Sequence, residues 1–126
     1  MNKIFICLFL SLFFLQGVSF SQDAITETVK LANFENKKTI ILFSGKYCSW
    51  CNKLDDLMNK DEDVKNILSS YVILHADIEK DLDMVKKYKV RTVPAVFILN
   101  EDGELEKSMV GYKGKEQFII FLSKQK

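Results

Sequence analysis

Hydrophobic and polar positions follow three different regimes along this chain. From Ile4 to Leu15, after the basic Lys3, the residues are almost continuously apolar until Gln16. Beyond Gln22 two periods alternate. Residues 23–36 set Ile25, Val29, Ala32, Leu31 and Phe34 near helical spacing, with acid at the start and Lys37-Lys38 after the end, so an amphipathic helix favoured by its dipole is expected. Residues 39–43 (T-I-I-L-F) form a short β-branched run suited to a strand covered on both faces. A second helix starts at Ser49 with Leu54, Leu57 and Met58 on one face, and Asp61 can cap a further turn or two holding Val64, Ile67 and Leu68. Residues 71–76 read as another buried strand, and 81–88 as a short helix with Leu82, Val85 and Tyr88 at helical spacing. Residues 95–99 and 104–110 are strands joined by Asn100-Glu101-Asp102-Gly103, whose Asp-Gly pair predicts a hairpin. Residues 115–124 close the chain as a helix burying Phe118, Phe121 and Leu122. Strands alternating with helices, then a hairpin, predict a three-layer α/β sandwich on a mixed sheet with a central parallel portion.

The opening regime reads as a secretory leader: a basic start, a short apolar stretch, then Gly17, Ser19 and Ser21 as small residues before a polar boundary. Cleavage is expected near Ser21, leaving one domain over residues 22–126. The apolar run falls short of the roughly 20 residues a membrane span needs, so a soluble exported protein is expected. Lys3 is the only charged residue of the leader, and its removal balances the charges that total 18 basic and 17 acidic in the full chain. That balance gives no electrostatic case for nucleic acid as a partner. The leader also takes Cys7, leaving Cys48 and Cys51 as a pair.

Cys48-Ser49-Trp50-Cys51 sits where a predicted strand ends and a helix begins. Cys48 then lies at the helix N-terminus, where free N–H groups and the positive end of the dipole favour a thiolate. Such settings lower a thiol pKa from about 8.5 to roughly 3.5–7.5. Lys46 adds little if solvated. Cys51, one turn further in, is expected to be more buried. The roles follow as Cys48 the nucleophile and Cys51 the resolving thiol. Three other readings compete. A structural disulfide would close only a tiny loop and stabilise little. A zinc site needs about four ligands, and beyond the carboxylates only His75 could join the thiols. A copper-handling pair needs only two thiolates.

The only proline supplies context, in Thr92-Val93-Pro94 before the strand at 95–99. With T-I-I-L-F-S, then Y-C-S-W-C opening a helix, K-Y-K-V-R-T-V-P-A-V-F-I-L, D-G-E and a final V-G-Y, the chain resembles the thioredoxin superfamily from Thr39 to about Ser123. The resemblance implies a thioredoxin-like fold with a cis Pro94 beside the two cysteines. The backbone of Val93 would then pair with an extended substrate, and the ring would disfavour metal capture. Ser49, Trp50, Val93 and Pro94 are the expected substrate contacts, with packing on the domain surface the equal alternative for Trp50, and no cofactor beyond a redox-active Cys48–Cys51 disulfide and no bound metal is expected.

Departures from that family pattern matter. Ser49-Trp50 replaces the usual Gly-Pro, so a reducing potential does not transfer. Tyr47 stands for the usual tryptophan as a flat aromatic wall. Leu42 occupies the position of a buried carboxylate, so either water or a neighbour such as Asp55 takes the proton of Cys51, or Cys51 turns over slowly. Asp56 replaces a kinking proline. His75 reads as a packed or surface strand histidine. The groups Lys86, Lys87, Lys89, Arg91 and Asp61, Glu62, Asp63 read as solvated faces, and Tyr88 as core. The expectation is a periplasmic thiol–disulfide oxidoreductase. It would be a monomer that reduces protein disulfides and is recharged by a membrane-bound electron donor, with an uncharged rim beside Trp50. The alternative is a binding module of the same fold, holding copper or docking a partner without turnover.

Overall fold

The computed structural model describes residues 20–123. The expected leader and Cys7 lie outside the described residues, apart from Phe20 and Ser21, which begin the first helix. The elements are α1 (Phe20–Phe34), β1 (Lys38–Ser44), α2 (Ser49–Lys60), α3 (Glu62–Leu68), β2 (Tyr71–Asp77), α4 (Leu82–Lys87), β3 (Ala95–Leu99), β4 (Leu105–Val110) and α5 (Lys115–Ser123).

The strands form one sheet in the order β2-β1-β3-β4. β1 pairs in parallel with β2 and antiparallel with β3, and β3 pairs antiparallel with β4. The sheet is mixed, as its pattern predicts, but the parallel portion is one pair at an edge rather than the centre. β1 and β3 are the inner strands, and their apolar runs are buried on both faces. Alternation along β1 divides two cores. Ile40 and Leu42 pack with Leu54, Met58, Val64 and Phe118 beneath α2, α3 and α5, while Ile41 and Phe43 pack with Ile25, Val29 and Met84 beneath α1 and α4.

Several expectations need correcting. β2 is an edge strand and only Ala76 is fully buried on it, because a run of β-branched residues cannot itself report whether a second neighbour exists. On α1, Ile25, Val29 and Ala32 are buried, but Leu31 and Phe34 turn to solvent. On α4 the buried residue is Met84, while Leu82 is exposed. Near-helical spacing tolerates two registers in such short helices, and packing selects one. The acidic run at 61–63 is not merely a solvated face. Asp61 caps α3 by accepting the Val64 N–H at 3.1 Å, and Lys115 of α5 lies 2.8 Å from both Asp61 and Asp63.

Candidate functional site

β1 delivers the chain to the site through a tight exit. At Gly45 a Cβ would stand 3.3 Å from the Ile78 side chain and 3.6 Å from Val93 Cγ2, so the loop runs close against both residues. Three residues later Cys48 caps α2 in an extended conformation (φ −111°, ψ 99°), and its Sγ accepts the Cys51 N–H at 3.1 Å. Cys48 and Cys51 are joined as a disulfide. Cys48 is partly exposed, whereas Cys51 is 3% exposed. A sulfur at an N-cap takes the place of the usual Ser or Asp oxygen, so negative charge on Cys48 is stabilised by an N–H and by the helix dipole.

The loop before β3 closes over this cap. Cys48 Sγ lies 3.8 Å from the Val93 carbonyl oxygen, and the Val93–Pro94 peptide bond is cis. Pro94 is buried and Val93 half-buried. The Gly111 N–H donates to the Pro94 carbonyl at 2.7 Å from a residue at φ +82°, tying the loop after β4 to the proline loop. That tie sets Tyr112 beside the helix start. The Tyr112 ring stacks on Trp50, with centroids 5.7 Å apart and an interplanar angle of 22°. Lys53 Nζ lies 4.4 Å from the centroid of Trp50, and Lys46 Nζ lies 5.3 Å from that of Tyr47.

Cys48, Cys51, Ser49, Trp50, Val93 and Pro94 therefore fall at one end of the sheet. Trp50 is exposed, as expected, but the rim beside it is not uncharged: the two lysines over its aromatic residues correct that expectation, because neutrality of the whole chain says nothing about how charge is distributed. Tyr47 is largely exposed and stands away from the fold rather than forming a wall. Leu42 is fully buried within the α2–α5 core. Asp55 and His75 line one open cleft of about 300 Å³ with Met58 and Ile73, on the flank of α2. His75 is an exposed residue of the edge strand. Tyr88 packs on Phe43 and Phe97 as a core residue, and burial raises its phenol pKa. Sequence reasoning missed Gly111, Tyr112 and Lys53. V-G-Y was legible as a motif, but contact of Tyr112 with Trp50 depends on the β3–β4 hairpin bringing the loop back. Among the described residues no group of three His, Cys, Asp or Glu side chains could hold a metal ion.

The family described as "Thioredoxin-like domain" matches residues 25–126. The chain is 26% identical to the thiol-disulfide oxidoreductase ResA of Bacillus thuringiensis subsp. konkukian, across 81% of this chain and 71% of that protein. It is 26% identical to the thiol:disulfide interchange protein DsbD of Vibrio cholerae across 82% of this chain, but only 18% of that longer protein. In three dimensions it is similar to a thioredoxin from Thermus thermophilus (TM-score 0.67, 17% identity, 77% of this chain and 79% of that one). It is likewise similar to the C-terminal domain of Neisseria meningitidis DsbD in its oxidised form (TM-score 0.64, 18% identity, 79% and 91%).

Proposed function

This chain belongs to the thioredoxin-like domain family, and from that premise we propose that it is a thiol–disulfide oxidoreductase working as a reductant of protein disulfides in the periplasm. One observation carries the reading: the partly exposed Cys48 caps a 12-residue helix while its partner Cys51 lies buried one turn behind it. The names of the ResA and DsbD relatives support the same chemistry.

In the reduced protein the Cys48 thiolate attacks one sulfur of a substrate disulfide, forming a mixed disulfide and releasing the other substrate sulfur as a thiolate. Cys51, having lost its proton, attacks Cys48 Sγ. The Cys48–Cys51 disulfide forms and the second substrate thiolate leaves. Two electrons pass from the protein to the substrate, and the two protons lost by the cysteines end on the substrate thiols. A membrane-bound dithiol donor then resets the pair. Leu42 offers no carboxylate, so the Cys51 proton leaves through water or through Asp55 on the neighbouring turn. Ser49, Trp50, Val93 and Pro94 form the surface on which the substrate segment lies.

The reducing direction draws support from the undecorated fold, since among the described residues no helical insertion interrupts the strand–helix order. Among the described residues no helix is long and apolar enough to cross a membrane.

Reduction of insulin disulfides tests the proposal. The wild type is expected to be active, Cys48→Ser inert, and Cys51→Ser arrested as a mixed disulfide on Cys48. Equal inertness of all three proteins, with redox-silent cysteines, would favour the binding-module alternative, for which copper titration of the reduced protein is the direct measurement.

A further inference from the structure

Around the disulfide, lysines stand without carboxylate partners. Lys53 lies over Trp50 and Lys46 over Tyr47. Lys113 folds back over the loop that is tied to Pro94, its Nζ 3.9 Å from where a Cβ on Gly111 would stand. None of the three forms an ion pair with any described residue. Of the other cations, Lys89 and Arg91 likewise form no ion pair with a described residue, whereas several lysines are paired. Lys38 pairs with Glu106, Lys65 with Glu62, and Lys115 with Asp61 and Asp63. Asp56, on the same helix as Lys53, is engaged by Lys60 at 2.8 Å. A chain with nearly balanced charge thus keeps three lysines free of ion pairs at the end of the sheet that carries its reactive sulfurs, and the two carboxylates that share an open cleft with Lys53, Asp56 and Asp61, are already engaged by Lys60 and Lys115.

We propose that this face selects disulfides flanked by acidic residues, with Lys46, Lys53 and Lys113 as its specificity-determining residues and the Trp50–Tyr112 stack as the apolar floor between them. The assignment rests on the oxidoreductase reading and names the substrate class of that site. The physical argument is complementarity. Unpaired ammonium groups attract an acidic segment during diffusional encounter and repel a basic one, and this discrimination acts on association more than on final affinity. A lysine held over an aromatic ring keeps its charge and its open donors, so it remains available to a carboxylate of the substrate. The stacked rings offer flat contact on which the substrate backbone can lie without loss of rotamer freedom in the protein.

Three disulfide-bonded peptides test the proposal, identical except for flanking Asp/Glu, Ser or Lys residues. Two readouts are taken. Exchange with the reduced protein reports turnover. Emission of Trp50, the single tryptophan, reports binding to the oxidised protein, which has no thiolate to exchange. The acidic peptide is expected to exceed the basic one by about tenfold in kcat/KM at low ionic strength. The ratio should shrink toward one at about 1 M salt, where charges are screened within about 3 Å. The triple variant Lys46→Gln, Lys53→Gln, Lys113→Gln should lose most of the ratio, while Lys65→Gln, on the remote α3, should keep it. Equal exchange of acidic and basic peptides, or a ratio that the triple variant leaves unchanged, would overturn the proposal. If the oxidised protein bound the acidic peptide preferentially while the reduced protein exchanged with none of the three, selection of acidic segments would stand and the oxidoreductase reading would fall.

Discussion

Cys48 is a capping residue before it is a nucleophile: its sulfur accepts the Cys51 N–H where a serine oxygen would otherwise do so. The same hydrogen bond that starts α2 therefore stabilises the thiolate, and helix formation and reactivity share one atom. Trp50 illustrates the opposite case, a residue whose identity is obvious in sequence and whose role depends on a partner distant in the chain. Replacing Trp50 with Ala removes the stack on Tyr112, a contact of the kind worth about 0.5–1.5 kcal/mol. The kcat/KM for a protein disulfide should fall about two- to tenfold by that magnitude, with a smaller effect on a small-molecule disulfide. Thr39 is a residue whose side chain has nothing to do with the site. It is buried at the centre of the sheet, and its hydroxyl has no hydrogen-bond partner among the described residues. Thr39→Val should leave stability unchanged or raise it by about 1 kcal/mol in urea denaturation, since a desolvated hydroxyl is exchanged for a methyl.

Among the elements, α2 carries the site and α3 and α5 hold it in place. Leu54, on the face of α2 turned to the sheet, packs with Leu42, Val96 and Phe118. Leu54→Ala should cost about 2–5 kcal/mol through the cavity it leaves, measured by denaturant midpoint. The α3–α5 junction adds charge to the apolar packing of Val64 and Leu68 with Phe118 and Leu122. The Lys115 ammonium and then the Val64 N–H hold the Asp61 carboxyl below its ordinary value of 3.8, and Asp61 and Asp63 raise the pKa of Lys115. A carboxylate whose pKa is lowered by folding contributes stability that is fully present above its unfolded value. That contribution is lost as pH falls through the folded value. Thermal midpoints of wild type and Asp61→Ala should therefore differ at neutral pH, with the wild type higher, and the gap should narrow as pH falls below 3.8 and through the lowered folded value. The clamp was invisible in sequence because Asp61 and Lys115 come from different helices, and a run of three acids near a helix start reads equally well as solvated surface. The edge position of β2 was hidden for a related reason, since apolar composition reports burial averaged over two faces and not the number of neighbouring strands.

At the scale of the whole molecule, the fold brings three segments to one end of the sheet: the α2 cap, the proline loop and the loop after β4. The proposed reducing role predicts a Cys48–Cys51 potential nearer thioredoxin's, about −270 mV, than the strong oxidant value of about −120 mV, measured by equilibration with a reference dithiol. A value at the oxidising end would reverse the direction while leaving the chemistry intact. Sequence by itself determined the strand–helix order, the pairing of Cys48 with Cys51 at a helix start, and the position of Pro94 ahead of β3. These are local matters, set by periodicity, capping and short-range spacing. Tertiary structure alone decided that β3 runs antiparallel to β1, that Tyr112 stacks on Trp50, and that unpaired lysines ring a site in an almost neutral chain. Each of those depends on contacts between segments far apart in the chain. Their energies come from burial and Coulomb attraction across space, which a linear pattern of hydrophobic and polar positions does not encode.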